Sequence, residues 1–185
     1  DMVWSGVFDS LTRRKFDVFV DYFATGTQLY IPTSSASTYK NVSQLCGKTI
    51  AGETATLFQG NLTHAFKKIC KNGKGLTFVN SPGIAQQNLL LSEGRAQASV
   101  AGPEIIDRMK VTTPGKYVAL GPVFYPTYYG VVLHHSAFGK QLGKVIRLAV
   151  DHLIKNGTYR KILKHYGLAS RAVKKATMTK GSTQY

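Results

Sequence analysis

The sequence predicts an α/β protein built on an open, mostly parallel sheet, and three observations carry that reading. Between Leu45 and Met109, short extended runs alternate with helical stripes in the order strand, helix, strand, helix, strand. The extended runs, Thr49-Ile50-Ala51, Leu76-Thr77-Phe78-Val79 and Ala96 to Ala101, are short and apolar, as strands covered on both faces are. The helical runs end on Gly73 and Gly94, the residue that most easily takes the left-handed turn after a helix. Strands separated by helices pair parallel through right-handed crossovers.

Taken in order, Val3 to Val18 holds a short helical pattern with Val7, Phe8 and Leu11 on one face, then strand-like character at Phe16-Asp17-Val18. Gly26 interrupts an aromatic and β-branched stretch, Thr27 to Ile31 alternates as a strand, and Pro32 ends it. Thr33 to Asn41 is rich in Ser and Thr and reads as a surface loop. A strand over Lys48 to Glu53 precedes a helix over Leu57 to Lys71, with Phe58, Leu62, Ala65, Phe66 and Ile69 on its apolar stripe. Ser81-Pro82 reads as an N-cap followed by proline in the first turn, opening a helix that runs to Glu93. Pro103 to Met109 forms a short helix. Two extended runs, Tyr117 to Leu120 and Tyr128 to Leu133, follow. Lys140 to Lys155 is a helix whose inner face holds Leu142, Val145, Ile146, Ala149, Val150 and Leu153. Thr158 caps a last helix from Tyr159 to Tyr166, and a basic tail starts at Arg171.

Bulk composition bounds the function. The chain has 185 residues, 43% of them hydrophobic, which suits a globular protein of one domain or two small lobes. No apolar run is long enough to span a bilayer. Asp1-Met2-Val3-Trp4 lacks the basic start and apolar stretch of a secretion signal, which fits a mature or trimmed product or a protein retained in the cytoplasm. The formal charge is +15, from 24 Lys and Arg against 9 Asp and Glu. From Phe138 onward Asp151 is the sole acidic residue. Such a bias favours anionic partners, although a solvated basic face is the commoner cause. The two cysteines, Cys46 and Cys70, fit either two buried small hydrophobes or a disulfide.

In an open parallel sheet, ligands bind at the carboxyl ends of the strands, against helix N-termini. Glu53-Thr54-Ala55-Thr56, Asn80-Ser81-Pro82-Gly83 and Ala101-Gly102-Pro103 are the three loops that meet this condition. Free backbone N–H groups and the helix dipole suit an anion there, and threonine hydroxyls add donors. Signals for catalysis are weak. His134-His135 point to opposite faces of a strand and make a poor metal site; no metal or cofactor is expected. Carboxylates are scattered, and neither Glu53 nor Glu104 has an evident acid/base partner.

Four segments carry a family resemblance. Leu45-Cys46-Gly47-Lys48-Thr49-Ile50-Ala51, Gly94-Arg95-Ala96-Gln97-Ala98-Ser99-Val100, Tyr128-Tyr129-Gly130-Val131 and Leu153 to Leu163 occur in an order that resembles family 3 extracellular solute-binding proteins. The Asn156-Gly157-Thr158-Tyr159 stretch is the most specific. The resemblance implies a periplasmic-binding-protein-like fold: two α/β lobes with open parallel sheets, joined by two crossover strands and closing on a small ligand. It implies a periplasmic or extracytoplasmic, monomeric component of an ABC importer, with a membrane permease as partner and no nucleic acid. It further implies a ligand site at Thr54, Ala55, Thr56 and Gly102, and a Cys46–Cys70 disulfide worth roughly 3 kcal/mol.

On this resemblance, residues 1–31 are a remnant of the first lobe with the first crossover strand, and 32–122 are the second lobe. Residues 123–170 hold the second crossover strand and C-terminal helices that pack on the first lobe, and 171–185 are the tail. The first lobe is truncated, and the family segment that carries a carboxylate-gripping Arg is expected to be missing between Val18 and Phe19. The Asp that grips an α-amino group in the family is Gly102 here, which weighs toward an anionic or non-amino solute. The expected function is binding of a small polar solute, an amino acid or related compound, without catalysis. A dehydratase-like enzyme on the same scaffold and a basic module for surfaces or nucleic acid are the alternatives.

Overall fold

A computed structural model describes residues 2–71 and 73–178. The chain divides into two compact units. One takes the residues up to Thr25 and those from Tyr125 onward; the other is Gly26–Phe124. Two long strands, β2 (Asp17–Pro32) and β6 (Tyr117–His134), each pass from one unit into the other. Both are longer than their sequence patterns. Gly26 does not interrupt β2, and the two runs expected at 117–120 and 128–133 are one strand. Backbone pairing overrides the weak local signal of Gly26, Gly121 and Pro122.

Unit Gly26–Phe124 is the predicted α/β alternation. β3 (Thr49–Glu53), α1 (Phe58–Ile69), β4 (Thr77–Ser81), α2 (Ile84–Ser92), β5 (Ala98–Ala101) and α3 (Pro103–Thr112) follow one another. β3 lies between β4 and β5 and is parallel to both; β2 joins antiparallel at the far edge of β5. Ile50 and Ala51 point to opposite faces and are both fully buried, so helices cover the sheet on both sides. On one face Tyr30, Ala51, Leu90, Leu91, Ala101, Ile106 and Met109 form a continuous core. Ser81 does not cap α2: it ends β4, its Oγ bonds the Gly52 carbonyl at 3.3 Å, and Gly83 precedes the helix. Extending the strand keeps a ladder that a cap would break.

Cys46 and Cys70 are disulfide-bonded, with Cα atoms 5.6 Å apart. The bridge ties the residue before β3's approach to the C-cap of α1.

The second unit departs more from expectation. Met2–Val3 is a short strand, β1, antiparallel to β6, and Arg13–Lys15 form one 3-10 turn; the stretch 3–18 holds no α-helix. Phe8 is buried by a bridge to Tyr129 instead of by a helical face. β2 runs from Asp17 through Val18 and Phe19 without a break, so the two sides of the expected deletion are joined within one strand. Part of the expected tail is ordered: Ala172–Thr177 is a strand, β7, antiparallel to β2. The remainder of that tail, from 179, lies outside the described residues.

Two helices complete this unit. α4 (Ala137–Lys155) buries Ile146 and Val150 against Val20, Val131, Leu133 and Ala176. Val145 and Leu153, expected on its inner face, are exposed, at 61% and 37%. The apolar stripe is wider than the surface it covers here. Asp151 anchors the helix to β7, accepting from the Ala176 N–H at 2.7 Å and from Arg147 at 2.8 Å.

α5 (Thr158–His165) starts at Gly157, whose φ of 82° is left-handed, while Asn156 Oδ1 accepts from the Thr158 N–H at 3.0 Å. Gly157 therefore holds the N-cap position, not Thr158, which is the first helical residue. Tyr159 completes the motif. Its hydroxyl donates to the Tyr22 carbonyl at 2.7 Å and accepts from the Val173 N–H at 3.1 Å, tying α5 to β2 and β7.

A buried ion cluster fastens the turn to the sheet. Arg14 grips fully buried Asp9 in a bidentate pair, Nε to Oδ1 at 2.7 Å and Nη2 to Oδ2 at 2.6 Å. The same guanidinium reaches Asp21 Oδ2 at 3.2 Å and the Met178 carbonyl at 2.6 Å. Asp21 Oδ1 has no partner among the described residues. Burial, and then the Asp9 charge, push the Asp21 carboxyl up to about 8 from an ordinary 3.8; Arg14 offsets only part of this.

Two predictions follow from these contacts. Replacing both cysteines by serine should lower unfolding free energy by about 3 kcal/mol in urea titrations, as expected for a loop of this size. The second concerns Asp21. Between its unfolded and folded pKa values the folded chain retains a proton that the unfolded chain has released, so stability falls as pH rises from about 4 toward 8. Asp21→Asn should remove that component. Its melting temperature relative to wild type should therefore climb across this window, and a constant difference would refute the assignment.

Candidate functional site

The geometry of the loop site comes from strand register. β3 pairs with β4 at Glu53↔Ser81, and with β5 at Ala51↔Ser99. Carried onward, the same registers set Thr54 level with Pro82 on one side and Gly102 on the other. The three loops named from the sequence therefore share one edge, where α1, α2 and α3 begin.

Thr54 is exposed, and its N–H and Oγ1 both donate to the Ser81 carbonyl at 3.2 Å. Thr56 is half-buried, and its Oγ1 donates to the Glu53 carbonyl at 2.8 Å. Both hydroxyl protons are thus committed to the loop, leaving the oxygens as acceptors. Ala55, between them, is exposed and held at φ 59°, a left-handed conformation rare for a residue with a Cβ. Such strain persists only where the surroundings fix it. The turn leaves the N–H groups of Ala55, Thr56 and Leu57 without hydrogen bonds among the described residues, ahead of a 12-residue helix. No side chain caps α1 either. Unbonded amides at a helix N-terminus offer both donors and positive potential.

Gly102 is buried and precedes α3, with Pro103 in the first turn. The Glu104 side chain folds back over it, its carboxyl carbon 2.5 Å from where a Cβ on Gly102 would stand. A negative charge thus occupies the place that an acidic side chain at 102 would reach, although Gly102 itself has none. Glu104 is 8% exposed and lies in the first turn of α3, where the helix dipole favours a carboxylate.

Beneath the loops lies a buried polar network that the sequence reading missed. Gln87 is fully buried on α2. Its amide nitrogen donates to Ser99 Oγ at 2.5 Å and to the Val100 carbonyl at 3.2 Å, and its oxygen accepts from the Glu53 N–H at 3.1 Å. Ser99 Oγ in turn donates to the Ala51 carbonyl at 3.0 Å, and the Tyr30 hydroxyl to Asn88 Oδ1 at 3.0 Å. Gln87 thereby fixes the ends of β3 and β5 relative to α2. One signal was present: Gln87 is three and four residues before Leu90 and Leu91, on the helix face that enters the core.

In the other unit, Arg13 was also overlooked. Its guanidinium donates to the Phe8 carbonyl at 2.9 Å, and Ser10 Oγ accepts from its N–H at 3.2 Å. No carboxylate pairs with it among the described residues. The two histidines, His134 and His135, are exposed at the end of β6. No group of three or more His, Cys, Asp or Glu side chains is placed to hold a metal among the described residues.

No family model and no curated protein matches the chain. Solved structures do. Tv2483 bound to L-arginine superposes with a TM-score of 0.76 at 17% identity, over 92% of this chain and 68% of that one. The periplasmic-binding-protein fold accounts for the chain. A mutant of ArgBP from T. maritima gives 0.71 at 23% identity, covering 90% of this chain and 68% of that one. AbpA from Streptococcus pneumoniae, an amino acid ABC transporter substrate-binding protein bound to L-arginine, gives 0.73 at 19% identity, over 92% and 69%. On the periplasmic-binding-protein fold, the Gln87 network holds up the strand ends that carry Thr54 to Thr56 and Gly102.

Replacing Gln87 by Leu would leave the Glu53 N–H without its partner and remove the tie between β3, β5 and α2. A loss of about 2 kcal/mol is expected by urea denaturation. Asn88→Leu, which removes two half-buried contacts, one of them a weak bond to the Met109 sulfur at 3.9 Å, should cost less than half as much.

Proposed function

We propose that the chain is the solute-binding component of an extracytoplasmic ABC importer, capturing a small polar solute and performing no chemistry on it. The observation that carries the reading is the level row of strand ends, along which Ala55, Thr56 and Leu57 present unbonded N–H groups and the Glu104 carboxylate lies over Gly102. Amide donors suit a carboxylate, and Glu104 suits an ammonium, so the edge has the complementarity of an α-amino acid. The fold supports this assignment, since two of the similar proteins hold L-arginine in their structures. A membrane permease is the implied partner. No helix among the described residues is long and apolar enough to cross a membrane.

An enzymatic role has less behind it. Glu53 and Glu104 are the carboxylates nearest the loops, and α3's own first turn already uses Glu104. A general acid/base pair would need a second positioned group.

Thermal shift measurements with the intact chain decide the matter, because a ligand that binds only the folded state raises the melting temperature. L-arginine, other L-amino acids and the matching decarboxylated amines and deaminated acids form the test set. A rise with one or more L-amino acids, reduced or absent with both deletion analogues, is expected. Glu104→Gln should weaken the response to the amino acid by about tenfold in affinity while leaving the response to the deaminated acid in place. Absence of any shift at millimolar concentration would sink the proposal.

A further inference from the structure

A cavity of about 760 Å³ lies wholly within the unit that contains α4 and β7, away in sequence from the loops at 54–57 and 102. Its lining combines apolar Val18 and Met178, above fully buried Phe19, with several basic side chains. Lys140 and Lys144 stand one turn apart on α4, Lys175 faces in from β7, and His135 adds a fourth nitrogen group. The three lysines are exposed, and none has an ion-pair partner among the described residues.

The remaining charges at the cavity largely cancel. Arg147 is paired with Asp151 at 2.8 Å, and Arg14 is held by Asp9 and Asp21. With the Asp21 carboxyl pushed up to about 8, that cluster carries little net charge near neutrality. Asp17 is the one other carboxylate on the lining. Three unpaired ammonium groups against one carboxylate leave the cavity positive. Converging cations at a concave wall focus potential far more than the same charges scattered on a convex surface.

We propose that this cavity is an anion site for an organic phosphate: the phosphate oxygens take Lys140, Lys144 and Lys175, and an apolar or aromatic body rests on Val18 and Met178. The volume lies within the range of small-molecule sites. A lining with both basic and apolar side chains selects for a ligand with both parts, which an inorganic anion lacks. The ligand source is either a soluble organic phosphate or the phosphate of a lipid headgroup.

The experiment uses the full chain at low ionic strength with three probes: adenosine diphosphate, inorganic pyrophosphate, and vesicles of equal parts phosphatidylglycerol and phosphatidylcholine. Calorimetry reads the soluble probes and co-sedimentation reads the vesicles. The test variant is Lys140→Gln/Lys144→Gln/Lys175→Gln. The control, Lys48→Gln/Lys68→Gln/Lys116→Gln, removes the same charge from exposed positions in the other unit. Adenosine diphosphate should bind more tightly than pyrophosphate; the test variant should weaken both by about tenfold or more, and the control by no more than about twofold. Vesicle retention lost in the test variant alone, with no soluble probe bound, assigns the site to a headgroup. Equal losses in both variants would mean a general charge effect and overturn the proposal, as would no binding of any probe by the unaltered chain.

Discussion

The parallel register of β3 with its two neighbours is the constraint on which the candidate loop site depends. A parallel ladder fixes not only which strands touch but how far each advances before its loop begins. Glu53 opposite Ser81 and Ala51 opposite Ser99 bring three turns to one level. A shift of one residue in either pairing would exchange the residues packed on the two helix-covered faces and move Thr54 out of level with Gly102 or Pro82. Burial of both faces of β3 forbids that shift, so the hydrophobic core sets the geometry of a polar edge.

Polar groups within that core refine what apolar packing leaves loose. Gln87 is satisfied by Ser99, Val100 and the Glu53 N–H, and these contacts converge at the ends of the strands that bear the site. A buried amide tolerates displacement poorly, because each lost partner restores a desolvation cost. Glu104 works on the same edge by a different route. Its carboxylate lies over Gly102 and sits favourably at a helix N-terminus, so negative charge is held at an otherwise side-chain-free position.

The second unit joins an apolar core to a set of charged ties. From Phe138 onward there is a single acidic residue, and Asp151 spends it on holding α4 to β7. Asp9 and Asp21 hold Arg14, which in turn reaches the Met178 carbonyl at the end of β7. With Asp9, Asp21 and Asp151 occupied by structural ties, the unit leaves Lys140, Lys144 and Lys175 facing only Asp17 around one cavity. Uneven charge along the sequence thus becomes a local field only because these acidic residues are already engaged.

By itself the sequence determined the α/β alternation from Leu45 to Met109, the candidate loops at Thr54–Thr56 and Gly102, and the turn at Asn156-Gly157. These are set by local periodicity and by residues whose backbone preferences are strong. The tertiary structure decided what depends on distant partners. Phe8 became a bridge to Tyr129 instead of a helical residue, Ser81 a strand end instead of a cap, and residues 172–177 a strand instead of a tail. Gly102 looked uncharged in the sequence because Glu104 folds back onto it only through the helix turn between them. Each of these outcomes came from long-range hydrogen bonds or side-chain reach, whose energies exceed the few tenths of a kcal/mol by which local propensities differ.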